Sequence, residues 1–140
     1  MTKILVDSNI LIYAHQRSEN EKHKRCAEVV SSLIDSDEMC LSVQNLVEFS
    51  RVLSEKASLD KDLVRQFVFD LSESSHVISY DENTVISALM ISKQYKIHFF
   101  DALLAATMQE NGISKILTEN IKDFKKMPGI EAENPFGKKR

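Results

Sequence analysis

The chain is poor in glycine, proline and cysteine, and it contains no tryptophan. Its 140 residues include three glycines, two prolines and two cysteines. Three glycines leave no room for a dinucleotide-binding or P-loop motif, because both need glycine-rich turns beneath a phosphate. Cys26 and Cys40 lie among apolar residues and form no Cys-x-x-Cys pair, so we expect buried free thiols.

The chain also lacks a strong excess of charge of either sign. A formal net charge of -3 provides no general attraction to nucleic acid, so a polyanion must be held by a local basic patch or through a bound metal ion. The short apolar run near the N-terminus meets Asp7 at once, which argues against a signal peptide or a membrane span. We therefore predict a cytoplasmic protein.

Short apolar runs alternate with stretches of helical spacing. Strands are predicted at 4–6, 39–41, 77–78 and 115–118, with a possible edge strand at 130–132, and helices at about 20–35, 43–57, 63–71, 82–90 and 99–110. Since parallel neighbours need a crossover connection, this order predicts an α/β fold, a three-layer α/β/α domain with a central, mostly parallel sheet of four to five strands. The predicted domain is 1–134, followed by a basic, disordered tail at 135–140.

Two acidic residues stand where predicted elements begin or end. Asp7 directly follows the strand 4–6, and ligands of open α/β sheets lie at the carboxyl ends of the strands. The alternative is that Asp7, Ser8 or Asn9 caps a turn. Asp101 lies in the first turn of a helix that is apolar nearly all round, where an acid also complements the helix dipole. A buried carboxylate is costly unless a cation compensates it, which favours a functional interpretation.

Further oxygen donors occur later along the chain. Glu48 is set into the apolar part of a helix, although a helical glutamate more often faces solvent. Thr118, Asn120 and Asp123 follow the last inner strand, and the alternative there is an ordinary loop in which Asn120 caps a helical turn. Clustered carboxylates repel unless a divalent ion neutralises them. Oxygen ligands select a hard ion, so we expect Mg²⁺ or Mn²⁺ rather than Zn²⁺.

The histidines offer no competing metal site. His15, His23, His76 and His98 are scattered and form no His-Glu-x-x-His pair. We interpret them as surface or structural residues. His15 alone is near enough to Asp7 in sequence to assist substrate binding.

Four segments resemble, in order and spacing, the four motifs of PIN-domain nucleases, in particular the VapC-type toxins of prokaryotic toxin-antitoxin modules. They are LVDSNIL at 5–11, LVEF at 46–49, FFDALLAA at 99–106 and LTENIKDF at 117–124. The resemblance implies a PIN-like sheet with its acids gathered at one end, binding one or two Mg²⁺ or Mn²⁺ ions. It implies a metal-dependent endoribonuclease that hydrolyses RNA phosphodiester bonds as the toxin of a toxin-antitoxin pair.

The resemblance also assigns roles to residues. Asp7, Glu48 and Asp101 match the first three acids of the family and would be catalytic metal ligands. Asn120 stands where many members have aspartate, so Asp123 is a further candidate for the fourth catalytic position. Thr118 and Asn9 would support the site.

Basic residues and partner surfaces are assigned less directly. We nominate five residues to hold the RNA strand, with solvated surface roles as the alternative: Arg17, Lys22, Lys24, Arg25 and Arg51. The resemblance implies a homodimer, and an antitoxin whose extended segment covers the acidic groove. The apolar residues Val64, Phe67, Val68 and Leu71 could serve such an interface, with core packing as the favoured alternative.

Two other functions remain open at this stage. Another Mg²⁺-dependent phosphoryl-transfer enzyme, a phosphatase or a structure-specific DNA nuclease, would suit the same layout, but Asp7-Ser8-Asn9 lacks the second acid of the Asp-x-Asp motif of phosphatases. A non-catalytic binding module with the same fold would not hydrolyse RNA even with abundant Mn²⁺.

Overall fold

A five-stranded parallel sheet forms the centre of the protein. The computed structural model describes residues 2–16 and 20–136. The strands are β1 (Ile4–Val6), β2 (Met39–Ser42), β3 (His76–Ile78), β4 (Lys115–Leu117) and β5 (Glu131–Glu133). The helices are α1 (Ser8–His15), α2 (Glu21–Asp35), α3 (Val43–Arg51), α4 (Lys61–Ser74), α5 (Glu82–Tyr95), α6 (Phe99–Glu110) and α7 (Ile121–Phe124), and a π-helical turn at Val52–Lys56 continues α3.

The order of the strands places a crevice beside β1. The strands are arranged β3-β2-β1-β4-β5, and every neighbouring pair is parallel. Strands β2 and β3 therefore lie on one side of β1, and β4 and β5 lie on the other, so the strand order reverses at β1. In an open parallel sheet the carboxyl ends of the strands at such a reversal form the usual ligand crevice.

Helices cover both faces of the sheet, as the alternation of strand side chains requires. Leu5, Cys40 and Ile116 belong to one apolar cluster, which includes the buried side of α6. Val6 and Leu41 belong to the other, with residues of α1 to α4. The predicted three-layer α/β/α architecture with a mostly parallel sheet is confirmed.

One helix was missing from the prediction. The polar residues after β1 were interpreted as a turn, but α1 begins directly at Ser8. Asp7 adopts an extended conformation and its side chain accepts a hydrogen bond from the backbone N–H of Ser8, which caps the helix. Ile10 and Leu11 are fully buried, so tertiary packing stabilises a segment whose first residues favour turns.

The apolar residues of α4 and α5 differ in burial. Val64 and Leu71 of α4 are buried in the core, and Phe67 and Val68 pack against it, so these residues serve core packing. On α5, Ala88 is buried, whereas Ile86, Leu89 and Met90 are 58 %, 58 % and 67 % exposed. The exposed residues recur at three and four positions and form one apolar stripe, which we call the α5 stripe.

Cys26 and Cys40 are buried free thiols, as predicted. Pro135 and Phe136, the first residues of the predicted tail, contact the domain: Pro135 accepts a hydrogen bond from Arg25, and Phe136 packs edge-on against Tyr13. The rest of that tail lies outside the described residues. Within 2–16 and 20–136, no helix combines the length and apolarity needed to cross a bilayer.

Candidate active site

The carboxyl ends of β1 and β4 open onto a small polar cleft. Its volume is about 240 Å³. The residues that line it are Asp7, Ser8, Asn9, Ile12, Glu48, Asp101 and Asn120. Five of the residues nominated for the site therefore meet at one place although they come from distant parts of the chain: Asp7, Asn9, Glu48, Asp101 and Asn120.

Asp7 is held by donors on both of its oxygens. Oδ2 accepts a hydrogen bond from Thr118 Oγ1 at 2.7 Å, and Oδ1 accepts from the Ser8 backbone N–H at 2.8 Å and from Asn45 Nδ2 at 3.3 Å. Burial raises the pKa of Asp7, the hydrogen bonds from Thr118 and Ser8 lower it, and the charge of Glu48 raises it. Asp7 thus caps α1 and faces the cleft at the same time.

Glu48 is tied to Asp7 through Ser8. Ser8 Oγ donates a hydrogen bond to Glu48 Oε1 at 2.6 Å, while its backbone N–H binds Asp7. Glu48 is exposed, as the surface interpretation expects, but its exposed side is the cleft. The Ser42–Asn45 capping box sets the start of α3 and brings Glu48, one turn further on, to this position.

Asp101 is oriented by Asn120. Asn120 Nδ2 donates to Asp101 Oδ2 at 2.9 Å, and the Asn120 backbone N–H donates to Thr118 Oγ1 at 3.0 Å. Asn120 occupies the N-cap position of α7, but its side chain makes no capping bond to that helix. The amide instead links the loop after β4 to the start of α6.

The pKa of Asp101 is raised well above its ordinary value. Burial is the largest cause, and together with the hydrogen bond with Asp123 and the charges of Asp7, Asp123 and Glu48 it raises this pKa to about 7. Asp123 is buried, does not line the cleft, and accepts a long hydrogen bond from the His98 backbone N–H at 3.4 Å. Asp123 therefore lies behind Asp101, and Asn120, the other candidate for the fourth position, is the one that lines the cleft.

The donor set suits a hard divalent cation. The cleft offers three carboxylates and two amides, and burial together with the neighbouring carboxylates raises the pKa of Asp101, as expected for a cluster of acids that a cation would compensate. In the part of the chain that the structure describes, no three His, Cys, Asp or Glu side chains are drawn together as tightly as a preformed metal site. The oxygens instead bind Thr118, Asn45, Ser8 and Asn120.

The nominated basic residues divide into three groups. Arg51 is exposed and lies one turn beyond Glu48 on α3. Lys22 is paired with Glu119 in the loop after β4 at 2.5 Å, and Arg25 binds the Pro135 carbonyl, so both contact distant parts of the chain. Lys24 is exposed on α2, and Arg17 lies outside the described residues.

His15 packs against the aromatic rings of two helices. Its ring lies 5.0 Å from the rings of both Phe49 and Phe67, and its Nδ1 faces the Leu11 carbonyl at 2.9 Å. Burial lowers the pKa of His15. These contacts give His15 a structural role.

Sequence reasoning missed two residues of the site. Asn45 is almost fully buried and donates to Asp7, and Ser8 bridges Asp7 and Glu48. The signal for Asn45 was its place three residues before Glu48, which puts both on one helix face. Asn9, named as a supporting residue, accepts a hydrogen bond from the Glu119 backbone N–H at 3.4 Å and ties α1 to the loop after β4.

Thr118→Val is expected to lower the free energy of unfolding by about 1–3 kcal/mol, because it removes the donor to buried Asp7 and the acceptor of the Asn120 backbone N–H. Urea denaturation followed by circular dichroism measures the loss. Thr107→Val is the matched control: Thr107 is equally buried, but its hydroxyl donates only to the Leu103 carbonyl within α6. Equal losses in the two variants would show that the Asp7 contact contributes nothing specific.

Comparison with known proteins agrees with this architecture. The PIN domain family model matches residues 4–130. A DNA-bound VapBC structure from Salmonella typhimurium is 21% identical with a TM-score of 0.72, covering 96% of this chain and 99% of that chain. FitAcB from Neisseria gonorrhoeae is 20% identical with a TM-score of 0.71, covering 95% and 98%. VapC20 from Mycobacterium tuberculosis, described as a sarcin-ricin loop cleaving toxin, is 19% identical with a TM-score of 0.64, covering 81% and 87%.

These likenesses to solved structures concern the fold, since each sequence identity is low. No match to the sequence was found among curated proteins.

Proposed function

Since the chain belongs to the PIN domain family, we propose that it is a Mg²⁺- or Mn²⁺-dependent endoribonuclease that acts as the toxin of a toxin-antitoxin pair. The observation that carries this proposal is the convergence of Asp7, Glu48, Asp101 and Asn120 on one cleft at the carboxyl end of the sheet. Structural likeness to a toxin described as cleaving the sarcin-ricin loop supports RNA as the substrate, and likeness to VapBC and FitAB proteins supports the toxin role.

Three carboxylates would hold the ion. Asp7 and Asp101 face the cleft from β1 and α6, and Glu48 faces it from α3. A bound Mg²⁺ or Mn²⁺ would supply positive charge that makes water more acidic and stabilises negative charge on the phosphate. The hard, oxygen-only donor set matches either ion.

The remaining residues position those carboxylates. Thr118 and Asn45 hold the two oxygens of Asp7, so its carboxylate keeps one orientation. Asn120 holds Asp101 Oδ2, and Asp123 buttresses the same carboxyl group. Such support reduces the reorganisation needed when a phosphodiester enters the cleft.

Glu48 is suited to orient the attacking water. Only Oε1 is engaged, with the Ser8 hydroxyl, among the hydrogen bonds of the described residues. Its exposed carboxylate can accept a proton from water in the cleft, while Arg51 on the same helix supplies positive charge for the strand. Hydrolysis then needs no side-chain nucleophile.

Cleavage assays on RNA test the proposal. Structured and single-stranded RNAs and matched DNAs are incubated with the purified protein in Mg²⁺, Mn²⁺ or EDTA. RNA products that appear with either metal ion and disappear in EDTA are expected. Cleavage confined to DNA would favour a structure-specific DNA nuclease, and absence of any cleavage with Mn²⁺ would favour a non-catalytic module.

We also propose an antitoxin partner. One similar structure, from Klebsiella pneumoniae, is described as a toxin-antitoxin complex. Three others are VapBC structures from different organisms. Here the acidic cleft is open and negatively charged, so a partner that covers it would need a cationic side chain opposite Asp7, Asp101 and Glu48. The partner would thereby compete with the divalent ion.

A homodimer is proposed through the α5 stripe, whose apolar side chains are exposed in the single chain. We expect sedimentation equilibrium to give about twice the chain mass of 16.0 kDa. Leu89→Glu should convert the dimer to monomer, because an unpaired charge would be buried at the interface. Leu63→Glu, at an exposed apolar position on α4, is the control and should remain dimeric; dimers in both variants would place the interface elsewhere.

A further inference from the structure

Glu119 lies between two residues that hold the acids of the cleft. Thr118, just before it, donates a hydrogen bond to Asp7, and Asn120, just after it, donates one to Asp101. We call these three consecutive residues the site loop. The position of the site loop therefore decides where two of the three carboxylates of the cleft find their hydrogen-bond donors.

The Glu119 side chain is held by hydrogen bonds on both of its oxygens. Lys22 Nζ, on α2, lies 2.5 Å from Oε2, and the Tyr13 hydroxyl, on α1, donates to Oε1 at 3.2 Å. The backbone N–H of Glu119 donates to Asn9 Oδ1 at 3.4 Å. Two helices that are distant from β4 along the chain thus fix the middle of the site loop.

Lys22 is itself held between two aromatic rings. Its Nζ lies 5.1 Å from the ring centroid of Tyr13 and 5.2 Å from that of Phe136. An ammonium group within about 6 Å of a ring centroid is attracted by the electrons of the ring. The hydrogen bond to Glu119 raises the pKa of Lys22, so its charge is retained at neutral pH.

The Lys22–Glu119 pair is also more sheltered than the other ion pairs of the described residues. Its side chains are 42 % and 32 % exposed. In each of the other pairs at least one side chain is more than half exposed. Fully exposed pairs hold no fixed geometry in water, whereas a pair that is partly shielded and packed on rings can fix a backbone segment.

We propose that Lys22 is a positioning residue of the active site, which acts through Glu119 to keep Thr118 and Asn120 in place. The inference rests on the proposed ribonuclease function and deepens it. Lys22, nominated from the sequence to hold RNA, supports the acids without touching the substrate. Phe136 shares this role because its ring packs on Lys22.

Kinetics separate positioning from a contact with RNA. A displacement of catalytic groups by about 1 Å can slow a reaction about 100-fold, and the support by Lys22 is indirect, so we expect Lys22→Met to lower kcat for metal-dependent RNA cleavage by about tenfold. KM should change by less than about twofold, because loss of a contact made equally in ground and transition states is what raises KM.

Amide hydrogen exchange in the metal-free protein tests the positioning without any cleavage. In the wild type the backbone N–H groups of Glu119 and Asn120 are both hydrogen-bonded. Lys22→Met should speed up their exchange several-fold, while Leu5 and Ile116, paired in the core of the sheet, exchange at wild-type rates. Equal acceleration at all four amides would show a general loss of stability and overturn the proposal.

Matched variants identify the contact that is responsible. Lys22→Arg keeps the charge and should retain most of the wild-type kcat. Lys24→Met, at an exposed position on the same helix, is the control and should retain both kcat and KM. Glu119→Gln should lower kcat as Lys22→Met does, and the double variant should lower it no further, since both changes remove the same contact. Phe136→Ala should lower kcat by a smaller factor.

The outcomes distinguish this inference from the proposed function. A raised KM with unchanged kcat in Lys22→Met would show that Lys22 holds the RNA strand, and the positioning role would be wrong. Wild-type cleavage and wild-type exchange of the site loop in Lys22→Met would overturn the positioning role and leave the ribonuclease function standing. If the wild type cleaved no RNA with either metal ion, the ribonuclease function would fail, while faster exchange at Glu119 and Asn120 would still establish that Lys22 fixes the site loop.

Discussion

Asp7→Asn is expected to reduce metal-dependent RNA cleavage by on the order of 10³-fold, equivalent to about 4 kcal/mol of transition-state stabilisation. Asp7 is the most buried of the three carboxylates of the cleft and directly follows the central strand β1. Asparagine keeps the shape and one acceptor oxygen but removes the charge that would hold the ion. The rate constants for one RNA, measured with saturating Mn²⁺, give the ratio.

Stability measurements distinguish this loss from unfolding. Burial raises the pKa of Asp7, which means that the charged form is disfavoured in the folded protein, so a neutral asparagine should fold at least as well in metal-free buffer. Asp35→Asn, at an exposed position at the end of α2, is the control and should retain full activity. If Asp7→Asn cleaved as fast as wild type, or if cleavage persisted in EDTA, the assignment of the cleft would be wrong.

Asp101→Asn is expected to stabilise the metal-free protein by about 1–2 kcal/mol at pH 8. The pKa of Asp101 is raised from 3.8 to about 7 by burial and by neighbouring carboxylates. Between pH 3.8 and about pH 7 the folded state binds more protons than the unfolded chain. The free energy of unfolding of the wild type therefore falls as the pH rises through this window. Because Asp101 is partly exposed, solvent screening keeps the effect well below what the full pKa shift would give.

Thermal unfolding in EDTA at pH 4 and pH 8 measures this effect. The two proteins should differ little at pH 4, where Asp101 is largely protonated, and Asp101→Asn should melt higher at pH 8 by several degrees. Added Mg²⁺ should then stabilise wild type more than Asp101→Asn, because the ion compensates a charge that the variant lacks. A large loss of stability in Asp101→Asn at both pH values would indicate that Asp101 chiefly complements the dipole of α6.

Local signals account for most of the predicted elements. The helices predicted to begin near residues 20, 43 and 82 each have an N-cap residue whose side chain accepts a hydrogen bond from the backbone, namely Asn20, Ser42 and Asp81. Helix α6 ends at Asn111-Gly112, where Gly112 has a positive φ of 71°. Caps and periodicity act within a few residues, so they can be read along the chain. Helix α1 was not predicted because its stability comes from packing against residues that are distant along the chain.

The residues of the candidate site were also predicted only in part. The acids Asp7, Glu48 and Asp101 were recognised because each stands at an element junction or in an apolar segment. The roles of Asn45 and Ser8 were missed, and the position of Asp123 behind Asp101 was not predicted. These features depend on which side chains meet across the fold. The exposure of the α5 stripe was also not predicted, since an apolar helix face has the same sequence pattern whether it is buried or exposed.

The sequence by itself determined the alternation of helices and strands, the parallel sheet and the order of the acidic motifs, because these follow from side-chain periodicity, capping and the need for crossover connections. The tertiary structure decided which groups touch. Thr118 and Asp7 are 111 residues apart and share a 2.7 Å hydrogen bond because β4 pairs with β1. Gln44 Nε2 donates to the Phe100 carbonyl because the fold brings the start of α6 to the start of α3, and no local pattern encodes that contact.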